Sequence, residues 1–524
     1  LIERFSNAPT SFNSVNLSGG FTLGMTVMRI PAFKLASLAL LVGLATPAAF
    51  ASELVIAQTT SATAMDPGFL KESATLVDNL FDTLVLRDAN MQLQPGLATR
   101  WKSLDDTTWE FTLRQGVKFS DGEPVNAQAV KFSIDRILDP ANHAPTISYI
   151  RTIRSVEVTG DYQVKIHTSG PDPLLPTRMS RYPTYIVPPA YVTKVGAAEF
   201  ARKPVGSGAY ILQTFIPDEK VVMQANPDYW RGKPAIDTVT WRPIPEATAR
   251  ITALLTGEVQ LVDSVPADLV PALKNKPGVH LEQVKNGGLT IYLGLKNDQK
   301  PLNDVRVRQA LSLALNRTAY TRDLLHGFGT PTGTMAGPKD FGYDAIPAPA
   351  QDVAKAKSLL AEAGYPQGFT LKFQAPRRYI ASADVAQAVV QDLAAIGVKA
   401  ELEVPEWSVY TQQVAAQKQA PLYMLAWGST QTLDADAALY PILHSGEPYS
   451  TVNSPELDAL LNSSRTTVDP AKREKILQQI QQVVAVQQPL IPLYKEDSLY
   501  ASADNVTFKG RADSRIPLFD LRLK

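Results

Sequence analysis

Two short stretches place paired charges beside aromatic rings. At residues 375–379 the text Ala-Pro-Arg-Arg-Tyr sets Arg377 and Arg378 side by side before Tyr379, and downstream Trp427 and Gly428 lead into Asp434 and Asp436. A guanidinium is a planar fork that can grip a carboxylate with two parallel hydrogen bonds, and a carboxylate is the matching partner for an ammonium. A small molecule carrying both charges, once enclosed, must meet both partners or leave its charges buried and unpaired at a cost of several kcal/mol each. Trp427 and Trp407 are the rings that could wall such a molecule, with Tyr410 and Tyr379 as neighbours that could close it. Each feature also has a plainer reading: two surface arginines on a solvated loop, two acidic residues at a helix N-terminus where the dipole favours them, and aromatic rings packed in a core.

Catalytic patterns are absent. The sequence has no H-E-x-x-H, no G-x-S-x-G, no P-loop and no dinucleotide fingerprint, and Gly206-Ser207-Gly208 lacks the flanking spacing of a nucleophile elbow. The five histidines, His143, His167, His280, His326 and His444, are far apart, and none pairs with another at metal-ligand spacing. No enzyme activity, cofactor or metal is expected.

A formal net charge of zero, from 51 basic and 51 acidic residues, argues against nucleic acid or an anionic membrane as partner. From Met28 the chain reads as a secretory signal: Arg29 and Lys34 supply positive charge, residues 35–44 are a short apolar run, and Ala49-Phe50-Ala51 is an A-x-A cleavage site. The apolar run is too short for a spanning helix, which needs roughly 20 residues. Residues 1–27 read as an upstream extension outside the fold, with the start at Met25 or Met28, and the mature protein is expected to begin at Ser52. From Ser52 onward the chain is far longer than one ordinary domain, so two or more lobes are expected. Cysteine is absent, which removes the residue a bacterial lipoprotein needs for its anchor and points to a free protein in a Gram-negative periplasm.

The elements that must position the charged and aromatic residues are legible as periodicity. Residues 53–57 read as a first strand, followed by a turn at Met65-Asp66-Pro67 and a helix near 73–81. Trp109, Phe111 and Leu113 alternate with polar residues as a half-buried strand, and Asn126 reads as the N-cap of a helix whose Val130, Ile134, Ile137 and Leu138 share a face. Residues 156–166 form a hairpin around Gly160-Asp161. From 204 to 262 the order is strand, turn, strand, helix, with turns at Gly206-Ser207-Gly208 and Gly232-Lys233-Pro234. Asn286-Gly287-Gly288 reads as a hinge, because glycines tolerate changes of φ and ψ, and Leu289, Ile291, Leu293 and Leu295 then make a new strand. Asn303 or Asp304 caps the next helix, with Val307, Ala310, Leu311, Ala314 and Leu315 on one face and Arg306, Arg308 and Arg317 on the other. Arg306 and Arg308 read as stabilising ion-pair residues. A helix at 383–396, closed by Gly397, lies between strands beginning at 370 and 398, a parallel βαβ unit. After a last long helix at 471–486, residues 489–494 should carry the chain back for a second crossing. Trp109, Trp230 and Trp241 read as packing.

Four blocks of this text stand in a recognisable order: QLQPGLATRWKSLDDTTWEFTLRQGVKFSDGEPVNAQAVKFSIDRIL at 92–138, PVGSGAY with QANPDYWRGKPAIDTVTWRPIPEATARITALLTGEVQLV within 204–262, PLNDVRVRQALSLALNR at 301–317, and AKSLLAEAGYPQGFTLKF at 356–373. They resemble the bacterial extracellular solute-binding proteins of the peptide/nickel (dipeptide- and oligopeptide-binding) ABC importer family, across roughly the whole chain from Ser52. The resemblance implies an α/β fold: a two-lobed periplasmic binding protein, or flytrap, with an extra subdomain inserted in the first lobe and two hinge crossings. Lobe I would take 52–81, 204–284 and 494–524, the subdomain 82–203, and lobe II 285–493. The implied function is the periplasmic substrate-binding component of an ABC importer. As a monomer that spans no membrane, it would capture di- or oligopeptides and deliver them to an inner-membrane permease with a cytoplasmic ATPase. An opine, glutathione or a sugar conjugate is the alternative solute, and a periplasmic hydrolase the remote alternative.

The resemblance also assigns roles at the site. In the family a Trp-Gly turn leads to an Asp-Pro-Asp that holds the peptide's ammonium. Here residues 432–439 read TLDADAAL, without the proline and with an insertion. Asp434, and after it Asp436, are expected in that role, while Arg377, ahead of Arg378, would meet the ligand's carboxylate. Trp427, Trp407 and Tyr379 would wall the ligand. The departure at the acidic segment keeps the other solutes open, because relatives lacking this aspartate bind other ligands.

Overall fold

The computed structural model describes residues 52–70, 74–379, 381–430 and 432–524; the expected upstream extension and signal peptide lie outside these residues. In chain order the strands are β1 (Glu53–Gln58), β2 (Val85–Arg87), β3 (Leu93–Pro95), β4 (Ala98–Asp105), β5 (Thr108–Leu113), β6 (Ile153–Gly160), β7 (Gln163–Thr168), β8 (Tyr210–Ile216), β9 (Lys220–Ala225) and β10 (Thr238–Pro243). They continue with β11 (Leu261–Val262), β12 (Val279–Val284), β13 (Thr290–Leu295), β14 (Gly329–Pro331), β15 (Phe369–Gln374), β16 (Val398–Glu403), β17 (Leu422–Trp427), β18 (Leu490–Glu496) and β19 (Ser498–Ala503).

Lobe I is built on a seven-stranded sheet in the order β12-β19-β11-β1-β10-β9-β8. Its central strand β1 pairs in parallel with both β10 and β11, and parallel strands of this kind are covered on both faces. Leu54 and Ile56 pack with Leu76, Met223 and Trp241 on one side. Ala57 and Val262 pack with Ile251 and Leu254 on the other. The turn at Gly206-Ser207-Gly208 is where sequence placed it, and its glycines answer a close approach. A Cβ on Gly206 would lie 2.0 Å from the Leu80 carbonyl oxygen, and one on Gly208 would lie 2.4 Å from the Leu80 carbonyl carbon.

The inserted subdomain carries its own sheet, β4-β5-β7-β6. Trp109, Phe111, Val164 and Ile166 pack there with Val130, Ile134 and Ile137 of the helix Ala127–Leu138. Asn126 caps that helix, its side-chain oxygen accepting from the Ala129 N–H at 3.0 Å.

Lobe II holds a six-stranded sheet in the order β14-β18-β13-β17-β15-β16. Helix Ser382–Ala394 links the parallel pair β15 and β16, and Asp304 caps helix Val305–Ala314 by accepting from the Arg306 N–H at 2.8 Å. The arginines of that region divide. Arg306 pairs with Asp304 at 2.6 Å. Arg308 and Arg317 instead turn inward and are buried: Arg308 donates to the carbonyls of Leu302, Gln487 and Gln488, and Arg317 to those of Ser312 and Pro492. The ion-pair reading of Arg308 is thereby corrected, since its partners are carbonyl groups, those of Gln487 and Gln488 at the end of helix Pro470–Gln487 and that of Leu302 ahead of its own helix.

Two neighbouring crossings join the lobes. The first follows β12 through Asn286, Gly287 and Gly288, with Asn286 at φ 57. The second is Asp497, between β18 and β19, whose carboxylate accepts from the Asn286 N–H at 2.8 Å and the Gln283 amide at 2.6 Å. Gly288 and Leu289 exchange backbone hydrogen bonds with Glu496, both 2.9 Å. This crossing comes later than the boundary placed at 494, because β18 stays paired with β14 as far as Glu496.

Candidate functional site

In open α/β sheets, ligands settle outside the carboxyl ends of the strands. The order of strands points those ends toward the hinge in both lobes. In lobe II, β17 runs antiparallel to β13, which begins just after the first crossing, and β15 and β16 run parallel to β17. In lobe I, β19 begins just after the second crossing and runs antiparallel to β11, so β11 and its parallel neighbour β1 end at the hinge side. There Thr59, just after β1, donates its hydroxyl to Asp263, just after β11, at 3.0 Å.

The residues singled out in sequence all lie at or just beyond the carboxyl ends of β15, β16 and β17. Arg378, Tyr379 and Trp407 come together: the Arg378 guanidinium lies 5.5 Å from the Trp407 ring, and Tyr379 meets Trp407 edge-on with centroids 6.0 Å apart. Arg377 is exposed beside them. Trp407 opens helix Trp407–Ala415, which Glu406 caps by accepting from the backbone N–H of Ser408 and Val409. Trp427 stands apart from that cluster. Its indole N–H donates to the Ala437 carbonyl at 2.9 Å and its ring lies 5.0 Å from Tyr449, which clamps it against helix Ala435–Leu443.

Asp434 and Asp436 have partners inside lobe II. Asp434 caps helix Ala435–Leu443 by accepting from the Asp436 N–H at 3.0 Å. It also takes both nitrogens of the Arg473 fork at 2.7 Å each. Asp436 is held by the Arg465 fork at 2.7 and 2.9 Å, and Arg465 in turn covers the Tyr440 ring. An ammonium brought to either aspartate would compete with a guanidinium already in place. Their evident work is to fix the loop after Trp427.

A carboxylate that sequence reasoning passed over stands at the same edge. β18 reads LIPLYKE and is buried throughout, its charged end included. Burial pushes the Tyr379 hydroxyl up to about 12; a hydrogen bond with the Ala426 backbone and the charge of Arg378 oppose this, while the charge of Glu496 adds to it. Tyr379 therefore sits in the fields of Glu496 and Arg378 at once. Lys495, on the opposite side of the strand, has its ammonium lowered by burial, with Asp340 and Glu496 holding it up. Two charges ending an otherwise apolar strand were the signal available in sequence.

The family model for bacterial extracellular solute-binding proteins, family 5 Middle, matches residues 92–450. The glutathione-binding protein GsiB of Salmonella typhimurium is 32% identical over 477 residues, spanning 88% of this chain and 92% of its own length. Among solved structures, HbpA2 from Haemophilus parasuis superposes with a TM-score of 0.82 at 28% identity, covering 90% of this chain and 100% of that one. The ABC transporter-associated periplasmic binding protein DppA from Helicobacter pylori, in complex with the peptide STSA, superposes with a TM-score of 0.72 at 27% identity, covering 90% and 98%. Among the described residues, no helix is long and apolar enough to cross a membrane. With two lobes, an inserted subdomain, paired crossings and these matches along most of its length, the chain belongs to the bacterial extracellular solute-binding proteins of family 5.

Proposed function

We propose that this protein is the periplasmic substrate-binding component of an ABC importer, and that it captures a short peptide between its lobes for delivery to an inner-membrane permease. The observation that carries the peptide reading is a cation set against the ring cluster, Arg378 5.5 Å from the Trp407 centroid with Tyr379 beside it, together with a buried carboxylate, Glu496, that ends β18 at the crossings. Glu496 at the hinge is the partner for the ammonium, and Arg378 with Arg377 the partner for the carboxylate. Trp407 and Tyr379 supply the wall beside Arg378. The peptide-bound relative and the glutathione-binding relative support a solute of this size and charge. Ligand stabilises the closed form by its higher affinity for it, and the closed form is what docks on the permease. The solute leaves chemically unchanged.

Thermal-shift screening of the purified protein against di-, tri- and pentapeptides, glutathione, opines and sugar conjugates tests this reading. A ligand at 100 times its Kd adds about 2.7 kcal/mol, so a short peptide should raise the melting temperature clearly. Glutathione, a tripeptide with an unusual linkage, is the second reading that the 32% identical relative favours. A rise with opines or sugar conjugates and none with any peptide would overturn the peptide assignment.

A further inference from the structure

A short hairpin touches lobe II from the other side of the hinge. β2 and β3 pair antiparallel with Arg87 opposite Leu93. The turn between them is fixed by Asp88, whose carboxylate accepts from the N–H groups of Asn90 and Gln92 at 2.8 and 2.9 Å. Met91 stands in that turn at φ 71 and is 3% exposed, although Ala89 and Asn90 just before it are open to solvent. What covers it comes from both sides of the hinge. Met91 forms a small buried cluster with Leu433 of lobe II and Ala512 of lobe I, and Val284, which ends β12 just ahead of the first crossing, packs against the cluster.

Arg87 adds a polar tie. One terminal nitrogen donates to the Met91 carbonyl at 2.6 Å, within the hairpin, and the other donates to the Thr432 carbonyl of lobe II. Arg511 holds the hairpin from the lobe I side, donating to the Arg87 carbonyl at 3.3 Å. The receiving loop is fixed as firmly. The N–H groups of Thr432 and Leu433 donate to the Ser429 carbonyl at 2.8 and 2.6 Å, the Leu433 carbonyl accepts from the Phe341 N–H at 2.9 Å, and Arg473 grips Asp434. Residues 87 and 91 precede the first crossing, whereas 432 and 433 lie between the two. Rotation at the crossings therefore changes both contacts, and separating them returns the Met91 and Leu433 side chains to water.

We propose that the β2–β3 hairpin is a latch. It engages the loop after β17 in the closed form only, and so sets how much of the solute-free protein is closed. The latch rests on the closure reading above and is independent of which solute is bound. It scales the affinity for every solute alike, because it changes the population of the closed form rather than a contact with the solute.

The chain contains no cysteine, so the double variant Met91→Cys with Leu433→Cys carries two thiols and no others, and a short bismaleimide can bridge only that pair. Cross-linked without any solute, this protein should show a smaller radius of gyration in small-angle X-ray scattering than before cross-linking. Met91→Ala should weaken the most stabilising solute of a panel of trialanine, glutathione and an opine on the order of tenfold, through faster dissociation. Thiols that fail to cross-link, cross-linking without compaction, or unchanged affinity in Met91→Ala would each overturn the latch. Compaction in a protein that no peptide stabilises would uphold the latch and count against the peptide reading alone.

Discussion

Arg473 grips Asp434 through two parallel hydrogen bonds of 2.7 Å, with both side chains about 5% exposed or less. The pair ties the start of helix Ala435–Leu443 to helix Pro470–Gln487 and so sets the loop between Trp427 and Asp434. Asp434→Ala would leave the guanidinium buried without its partner, a change that costs about 3–5 kcal/mol. Denaturant unfolding should show that loss. Affinity should fall equally for free and N-acetylated peptides, because Asp434 acts through the loop. A loss confined to peptides with a free ammonium would mean that Asp434 meets the ligand itself.

Glu496 is assigned the ammonium. Glu496→Gln keeps the shape and removes the charge, so peptides with a free ammonium should bind at least about tenfold more weakly, in line with the strength of charge-assisted hydrogen bonds. N-acetylated peptides should bind the variant and the parent alike in calorimetric titrations. Equal losses for both classes would remove Glu496 from that role.

At the crossings, space is the constraint. A Cβ on Gly288 would stand 2.8 Å from the Glu496 Cβ and 2.9 Å from the Glu496 carbonyl oxygen. Gly288→Ala must push the two crossings apart, at about 1–3 kcal/mol for overpacking, and should lower both the melting temperature and peptide affinity. A variant as stable and as tight-binding as the parent would show that the crossings are not held at this spacing.

Burial raises the Asp82 carboxyl to about 6, against the pull of its hydrogen-bond donors Ser207, Trp230 and Tyr229 and of the Arg231 charge. The unfolded chain releases this proton near pH 4. Between pH 4 and 6 the folded state therefore binds more protons, and the group's contribution to stability falls as pH rises, by about 3 kcal/mol, with no further loss above 6. Unfolding free energies of the parent and of Asp82→Asn, measured from pH 4 to 7, should diverge by that amount, the parent losing ground. Parallel curves would show that Asp82 does not hold its proton in the fold.

Elements that declare themselves by local pattern were legible in sequence. The alternation of Trp109, Phe111 and Leu113 gave β5, Asn126 gave its cap, and the two glycines after Asn286 gave the first crossing. What was hidden depends on partners distant in the chain. Asp434 and Asp436 read as free carboxylates because Arg473 and Arg465 lie 39 and 29 residues away. Arg308 read as an outward charge because its acceptors, the carbonyls of Gln487 and Gln488, end a helix about 180 residues on. The second crossing was expected from residue 494 onward, whereas Lys495 and Glu496 remain in a buried strand.

Capture of a peptide in this way requires two lobes that close on it. Small-angle X-ray scattering of the ligand-free protein, repeated with a saturating peptide chosen from the thermal-shift screen, tests this most directly. The radius of gyration should fall when the peptide is added and recover when it is removed. A peptide that raises the melting temperature yet leaves the scattering profile unchanged would contradict capture by closure.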